Sequence, residues 1–290
     1  MEIEVKGHSG CEINIVREND TLFVYKISPL HNAKYAARLL KQAEKQREAA
    51  SVEYRNIRVP EVYQIIDEGD SATIKMQYVY SKSFIEYFES SGFEQINYFI
   101  KALEYFVDKE VEASPIVRVA SRVFVDKLAE VRCNTLAKPE MAADADILSI
   151  LDRAQGVIEG MNDWEIPIGR CHGDLTFSNM LFNGNNYFLI DFLDSYVETP
   201  LQDIVKIRQD TAYLWSQLMY VQSYDEVRLR IICDKIDSEI DAYFSQRYAW
   251  YREYYKPLQL MNLLRILPYA HEQRVVDYLK TIITGLLNAI

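Results

Sequence analysis

The chain has 290 residues, of which 49% are hydrophobic and 26% charged. This composition is typical of globular proteins and excludes a largely disordered or collagen-like chain. The 32 basic and 43 acidic residues give a net charge of −11. That balance argues against a nucleic-acid-binding protein, because such proteins usually carry a basic surplus. It also disfavours an anionic membrane surface and favours a cationic or neutral substrate.

The four cysteines are far apart in the sequence, and no pair has the CxxC spacing of zinc or thioredoxin sites. We therefore expect reduced thiols and a cytoplasmic protein. The N-terminus has no basic stretch followed by an apolar one, and no run of about 18 apolar residues occurs. Neither a secretory signal nor a membrane-spanning helix is expected.

The first 80 residues predict strands with one helix. The strands are expected where apolar residues alternate or β-branched and aromatic residues cluster. The helix is expected where apolar residues recur with a period of 3.6, with Asn32 as its N-cap. These elements are strands at 1–6, 11–17, 21–27, 59–67 and 72–80, and a helix at 32–51.

From residue 84 onward the pattern becomes helical, apart from one small hairpin around the polar turn 183–186. Strands followed by helices predict an α+β fold with segregated layers rather than an alternating sheet. We predict an N-terminal lobe at 1–80 and a C-terminal lobe at 81–290. Long amphipathic helices are expected at 93–113, 117–136, 143–162, 201–221, 225–246, 253–266 and 271–288.

Two aspartates and an asparagine lie around this hairpin. Asp174 belongs to the segment CHGDLTFSN, which ends at Asn179, and Asp191 belongs to the segment LIDF. The hairpin would bring Asn179 and Asp191 together from adjacent strands. An oxygen-only pair of this kind suits Mg²⁺, which takes further ligands from water and substrate phosphates. Asp174 could then accept a proton from an attacking hydroxyl, as phosphoryl transfer requires.

The sequence HGDLTFSN followed by IDF resembles the signature of the aminoglycoside phosphotransferase and choline kinase families, which are small-molecule relatives of the protein kinases. The resemblance implies that Asp174 is the catalytic aspartate and that Asn179 and Asp191 bind Mg²⁺. It implies that His172 supports the loop. It also implies a bilobal, protein-kinase-like α+β fold with ATP and Mg²⁺ bound between the lobes. The segment PLQD resembles the P-x-x-D that opens the next helix, where Asp203 would cap the helix or anchor the loop.

The same resemblance implies a phosphate-binding lysine in the N-terminal lobe. Lys26 stands on the third predicted strand, where the kinase fold keeps the lysine that pairs with the α- and β-phosphates. Its partner on the helix would be Glu44. Glu48, one turn further along the same face, is the alternative.

The remaining nucleotide contacts would come from two short segments. The turn at 7–10 contains Ser9 and Gly10, and its backbone could approach the phosphates because glycine lacks a Cβ. The hinge between the lobes would offer backbone groups to adenine. The predicted hinge residues are Gln77, Tyr78 and Val79.

Several departures from protein kinases favour a small-molecule acceptor. The chain has no GxGxxG loop, carries Phe-Leu rather than Phe-Gly after Asp191, and has no APE-like segment. Only about ten residues separate Asp191 from the next predicted helix, too few for an activation segment and a peptide platform. Thr176 stands where protein kinases carry a lysine. Leu193 stands where choline kinases usually carry a glutamate, which argues against choline.

The acceptor stays open among aminoglycosides, sugars, choline or ethanolamine and similar hydroxyl compounds, as do the choice of ATP or GTP and the oligomeric state. No nucleic acid or membrane partner is expected. The alternative functions are a protein kinase and a catalytically inactive nucleotide-binding module of the same fold. P-loop and Rossmann nucleotide binding have no support, because neither GxxxxGK[ST] nor GxGxxG occurs.

A few residues permit two interpretations. Lys206 and Arg208 could contact an anionic acceptor or form a solvated helix face. The tyrosine-rich segment 248–255 is expected to pack helices together rather than line a cation-binding pocket. Asp194 and Glu198 are expected to lie in a solvated loop rather than to bind an acceptor.

Overall fold

The computed structural model describes residues 11–290 and the backbone of residues 2–6. Its N-terminal part is a five-stranded antiparallel sheet with strand order β1-β2-β3-β6-β5. Lys26 lies on the central strand β3, where it is paired with Ile13 on one side and Ile74 on the other. The strands are β1 (Glu2–Lys6), β2 (Glu12–Glu18), β3 (Thr21–Ile27), β5 (Val62–Asp67) and β6 (Ala72–Gln77).

A single helix, α1 (Ala33–Ala50), packs against this sheet. Asn32 caps it as predicted, since its side chain accepts a hydrogen bond from the backbone N–H of Tyr35. Its apolar face and the sheet share one buried core, so the orientation of α1 about its own axis is set by the removal of apolar surface from water. That core consists of Ala36, Leu39, Ala43, Val62, Ala72, Ile74 and Met76.

The remainder of the described chain is mainly helical, which confirms the predicted α+β class. Five shorter strands form two small sheets, one of three strands and one of two. The helices are α2 (Phe84–Ser90), α3 (Phe93–Glu112), α4 (Ser121–Leu136), α5 (Pro139–Ala142), α6 (Ala145–Glu159), α7 (Pro200–Thr211), α8 (Trp215–Leu218), α9 (Glu226–Arg247), α10 (Ala249–Leu264) and α11 (Gln273–Ala289). The shorter strands are β4 (Ile57–Arg58), β7 (Ile116–Val119), β8 (Trp164–Pro167), β9 (Met180–Asn183) and β10 (Asn186–Leu189).

The predicted hairpin is present as β9 and β10, and β4 joins it in parallel with β10. A buried aromatic cluster supports this hairpin and the turn that precedes it. Phe177 lies at its centre, with ring centroids 5.2 Å from Phe88 and 5.7 Å from Phe84. The segment between Asp174 and Asn179 is therefore fixed by aromatic packing as well as by hydrogen bonds. The other members of the cluster are Tyr87, Phe99, Phe182 and Tyr187.

Three helix predictions were wrong in detail. The helix predicted at 253–266 begins four residues earlier and spans Ala249–Leu264. The predicted helix over 117–136 begins only at Ser121, because residues 116–119 form β7 and pair with β8. This pairing joins residues far apart in the sequence, so local periodicity could not show it. The predicted helix over 201–221 ends at Thr211, because Leu214 adopts a left-handed conformation with φ 54°.

The chain divides into two compact units. The first unit comprises Met1–Phe106, His172–Ser195 and Tyr224–Leu229, and the second comprises Val107–Cys171, Tyr196–Ser223 and Arg230–Ile290. The lobe boundary at residue 80 remains a prediction. Among the described residues no helix has the length and apolar character needed to span a membrane. None of the four cysteines, all of which are described, forms a disulfide.

Candidate active site

The segment that follows His172 turns sharply at Gly173, which has φ 87°. A Cβ at this position would overlap the backbone carbonyl oxygen of Leu193. The backbone N–H of Leu193 also donates to the carbonyl oxygen of His172, at 2.9 Å. Glycine is needed here both for the left-handed conformation and for this close approach. The turn and the segment after Asp191 are thus packed directly against each other.

Asp174 and Asn179 lie in hydrogen-bond contact. The side-chain Nδ2 of Asn179 donates to the carboxylate Oδ2 and to the backbone oxygen of Asp174, both at 2.9 Å. The backbone N–H of Thr176 donates to the same backbone oxygen at 2.8 Å. Asp174 remains partly exposed. Its carboxylate is therefore oriented and accessible, which are the two requirements for a group that accepts a proton from a substrate.

His172 supports the loop. The ring is fully buried, its Nε2 lies 2.9 Å from the carbonyl oxygen of Ile190, and its Nδ1 accepts the backbone N–H of Asp174 at 3.2 Å. These contacts fit the neutral ring with the proton on Nε2. Burial lowers the pKa of His172 from 6.5 to about 4, against the opposing effect of Asp174. The neutral ring therefore links the backbone of Asp174 to the backbone of Ile190, the residue before Asp191.

Asp191 meets Lys26, although 165 positions separate them in the sequence. The ammonium Nζ of Lys26 lies 2.8 Å from Oδ1 of Asp191. The lysine side chain is 5% exposed and that of the aspartate 36%. Asp191 also has φ 61°, a conformation that is uncommon outside glycine and that occurs often at functional sites. The lysine and the aspartate predicted to handle phosphate and metal are therefore adjacent.

The predicted ion pair between Lys26 and Glu44 was wrong. The residue of α1 beside Lys26 is Gln42, whose Oε1 lies 3.4 Å from Nζ. Glu44 and the alternative Glu48 are both exposed. Residues two apart on a helix are related by about 200° of rotation and so point to nearly opposite sides. A helix that turns Gln42 toward Lys26 therefore turns Glu44 away. The apolar stripe of α1 fixes this rotation.

Two lysines of α1 that the sequence interpretation missed reach the segment after Asp191. The Nζ of Lys45 donates to the carbonyl oxygen of Leu193 at 2.6 Å. Lys41 forms an ion pair of 2.7 Å with Asp194, which was expected only to lie in a solvated loop. Spacing by four places Lys41 and Lys45 on one helix face, a signal that becomes informative only once the orientation of α1 is known.

The structure describes the predicted hinge residues but not the predicted phosphate-covering residues. Gln77 ends β6, and its backbone N–H already donates to the carbonyl oxygen of Glu61 at 2.8 Å. Tyr78 and Val79 follow it, and Val79 is buried. Ser9 and Gly10 lie outside the described residues, so their proposed role stays a prediction.

The side chains of Asn179 and Asp191 fit a magnesium ion by their chemistry. The backbone N–H of Ile190 donates to the backbone oxygen of Asn179 at 3.0 Å, which ties the start of β9 to the residue before Asp191. The amide nitrogen of Asn179 is bound to Asp174, which leaves its amide oxygen as the ligand atom. An amide oxygen and a carboxylate are hard ligands of the kind that Mg²⁺ prefers.

Comparison with known proteins agrees with this geometry. A model of the phosphotransferase enzyme family (APH) matches residues 118–258, a range that contains Asp174, Asn179 and Asp191. The family resemblance is confirmed. The class of enzyme predicted from the motif, a phosphotransferase, is confirmed with it. A search of curated proteins gives no match.

Solved structures show the same fold as this chain at low sequence identity. APH(2")-IIia in complex with GDP and kanamycin is 14% identical with a TM-score of 0.63, over 100% of this chain and 92% of that one. A thermostable mutant of the aminoglycoside phosphotransferase APH(4)-Ia is 11% identical with a TM-score of 0.60, over 100% and 94%. A putative fructosamine-3-kinase from Haemophilus somnus 129PT is 12% identical with a TM-score of 0.57, over 99% and 91%. The predicted protein-kinase-like α+β fold is thereby confirmed.

The guanidinium of Arg208 on α7 contacts side chains of α9 and α10. The guanidinium donates to both carboxylate oxygens of Asp237, at 2.9 and 2.8 Å, and to the hydroxyl of Tyr251 at 2.7 Å. It also lies 4.3 Å from the ring centroid of Tyr255. The tyrosines of 248–255 are mostly buried, as expected of residues that pack helices together. The N-cap of α7 is Thr199, and Asp203 is buried inside that helix.

Proposed function

We propose that this chain transfers the γ-phosphoryl group of ATP to a hydroxyl of a small molecule, with Mg²⁺ as the metal. The observation that carries the proposal is the contact of 2.8 Å between Lys26 and Asp191, because phosphoryl transfer requires a cation for the phosphates and a carboxylate for the metal at one site. Solved structures of the same fold support a nucleotide donor, since they hold ADP with hygromycin B or GDP with kanamycin.

In this reaction the hydroxyl oxygen of the acceptor forms a bond to the γ-phosphorus. The bond between that phosphorus and the β–γ bridging oxygen breaks, and ADP leaves. The carboxylate of Asp174, oriented by Asn179, accepts the hydroxyl proton. Lys26 pairs with the phosphates, and Asn179 and Asp191 hold the metal. The metal, when bound, neutralises charge on the phosphates and so favours attack by a neutral hydroxyl.

A small-molecule acceptor is preferred over a peptide. The chain between Asp191 and α7, which begins at Pro200, is short and tied down. Asp194 is bound by Lys41, and the carboxylate of Glu198 accepts a hydrogen bond from the thiol of Cys171 at 3.1 Å. Such a segment offers no mobile platform for an extended polypeptide. An inactive nucleotide-binding module is disfavoured because Asp174, Asn179, Asp191 and Lys26 are all present.

The test is a screen for acceptor-dependent ADP release with magnesium. The acceptor panel contains sugars, amino alcohols, aminoglycosides and, separately, unfolded polypeptides. The Asp174→Asn variant serves as the matched control, and its turnover is expected to fall about 100-fold or more while its nucleotide affinity is kept. Full activity in this variant would contradict the role of Asp174. Phosphorylation of polypeptides alone would favour a protein kinase.

A further inference from the structure

One face of α1 is turned toward the chain that follows Asp191. Lys41 and Lys45 share this face, since residues four apart on a helix are neighbours. The ammonium Nζ of Lys45 donates to the backbone carbonyl oxygen of Leu193 at 2.6 Å, and that of Lys41 pairs with the carboxylate of Asp194 at 2.7 Å. The helix is therefore attached to two consecutive residues of this segment, to one through its backbone and to the other through its side chain.

The carbonyl oxygen that Lys45 binds also lies against the turn at Gly173. A Cβ at Gly173 would overlap this oxygen of Leu193, and it would lie 3.4 Å from Nζ of Lys45. The backbone N–H of Leu193 donates to the carbonyl oxygen of His172 at 2.9 Å. Lys45 is thus located where three pieces of chain meet, namely α1, the turn that leads into Asp174, and the segment that carries Leu193.

The two lysines make contacts of different strength. Lys45 is half-buried and donates to a backbone oxygen, and hydrogen bonds from charged donors are about twice as strong as neutral ones. The side chain of Lys41 is 66% exposed and that of Asp194 36%, and exposed ion pairs contribute little to stability. Removal of either lysine takes the same charge from the same helix face, but only removal of Lys45 should loosen the turn.

The positive charge of Lys45 also acts on the ring that supports the turn. Burial is the main cause of the lowered pKa of His172, about 4, and the charge of Lys45 lowers it further, against the opposing effect of Asp174. The neutral ring accepts the backbone N–H of Asp174 on Nδ1, at 3.2 Å, which a protonated ring could not do. The contact and the charge of Lys45 therefore favour the same arrangement of the turn.

We propose that Lys45 is a positioning residue for Asp174, the proton acceptor of the proposed reaction. Its bond to Leu193 holds the turn at Gly173 in place relative to α1, and so fixes the backbone from which the carboxylate of Asp174 extends. In this chain α1 is joined to the catalytic turn by a lysine, while Glu44 is exposed. The expected effect on turnover rests on the proposed function, whereas the expected effect on the backbone does not.

The effect on the backbone is measured by amide hydrogen exchange, followed by NMR without nucleotide. Lys45→Met removes the donor and the charge at similar chain length, Lys45→Arg keeps both, and Lys41→Met is the matched control. In Lys45→Met the amides of Leu193 and Asp174 should exchange about tenfold faster or more, the scale of losing a charged hydrogen bond. Lys45→Arg should restore slow exchange, and Lys41→Met should leave it unchanged.

A reference amide separates loosening of the turn from general loosening of the unit. The backbone N–H of Ser28 donates to the carbonyl oxygen of Ala72 at 2.9 Å in the N-terminal sheet, and its exchange should be the same in all variants. Acceleration at Ser28 equal to that at Leu193 would show that Lys45→Met destabilises the whole unit, and would overturn the proposal.

The effect on catalysis is measured by magnesium-dependent ADP release from ATP, with water and with the best compound of the acceptor panel. The kcat of Lys45→Met should fall about tenfold or more, because misplacement of a reacting group by about 1 Å can cost about 100-fold. Its KM for ATP should stay within about twofold, as for a residue that acts in the transition state. Lys45→Arg should recover most of the rate, and Lys41→Met should keep it.

Faster exchange at Leu193 and Asp174 in Lys45→Met alone, together with the loss of kcat, would support the proposal. Unchanged exchange in Lys45→Met, equal acceleration in Lys41→Met, or an unchanged kcat would overturn it. If the unmodified chain releases no ADP with any acceptor, the proposed function fails. The exchange rates then decide by themselves whether Lys45 positions the turn.

Discussion

The ammonium group of Lys26 lies 2.8 Å from the carboxylate of Asp191, and Gln42 of α1 lies beside it at 3.4 Å. Lys26 therefore shares its charge with the residue proposed to bind the metal, rather than with a glutamate of the helix. A carboxylate on α1 in place of Gln42 should therefore weaken the ion pair between Lys26 and Asp191.

The first prediction is that Gln42→Glu makes the enzyme easier to saturate with magnesium. The new carboxylate would compete for Lys26 and leave Asp191 more available to the metal. We expect the Mg²⁺ concentration at half-maximal activity to fall about three- to tenfold, which corresponds to roughly 1 kcal/mol. Magnesium titrations of activity measure this effect. Glu44→Gln is the control and should change nothing, because Glu44 is exposed and turned away from Lys26. A loss of activity in Glu44→Gln, together with an unchanged magnesium requirement in Gln42→Glu, would instead indicate that Glu44 is the partner of Lys26.

Gly173 offers a second prediction, with Gly184 as its control. Both have positive φ, 87° and 58°. A Cβ at Gly173 would overlap Leu193, whereas a Cβ at Gly184 meets nothing within 4 Å. Each alanine variant should lose about 1–2 kcal/mol of stability from backbone strain. Gly173→Ala should lose more than Gly184→Ala, because its Cβ also overlaps the backbone of Leu193. Only Gly173→Ala should also lose activity, because it displaces the segment that carries Asp191. Urea unfolding and steady-state rates separate the two effects, and equal activity in both variants would argue against the close packing.

Because the ring of His172 is buried, we predict that the free energy of unfolding decreases at acidic pH. Its pKa falls from 6.5 to about 4 on folding, so the unfolded chain binds more protons between these values. The stabilisation is complete above about pH 6.5 and is lost as the pH falls toward 4, with a slope of about 1.4 kcal/mol per pH unit. Urea unfolding between pH 4 and 7.5 should show a shallower slope in His172→Gln. An NMR titration gives a second check, since the resonance of His172 should stay that of a neutral ring at pH 5.5. A titration midpoint near pH 6.5 for that resonance would contradict the prediction that folding lowers the pKa of His172.

The sequence allowed the prediction of those features that depend on local pattern. The strands alternate, α1 carries an apolar stripe, and the predicted hairpin after Asn179 is present. The family resemblance placed Lys26 and Asp191 in one site, but their direct ion pair was not predicted, and 165 positions separate them in the sequence. The roles of Gln42 and Lys45 could not be predicted, since they depend on how α1 is rotated on the sheet. The pairing of β7 with β8 was missed for the same non-local reason.

The central claim, that these residues form a magnesium–nucleotide site, is tested most directly by calorimetric titration of the nucleotide with magnesium and with EDTA. Asp191→Asn suits this test because asparagine tolerates the positive φ of Asp191. Asp194→Asn, which changes a nearby carboxylate bound by Lys41, is the control. The unmodified chain and the control should gain affinity with magnesium. Asp191→Asn should lose at least about tenfold of that gain, because even outer-shell changes cost metal sites about 10- to 100-fold. An undiminished gain in Asp191→Asn would contradict the account.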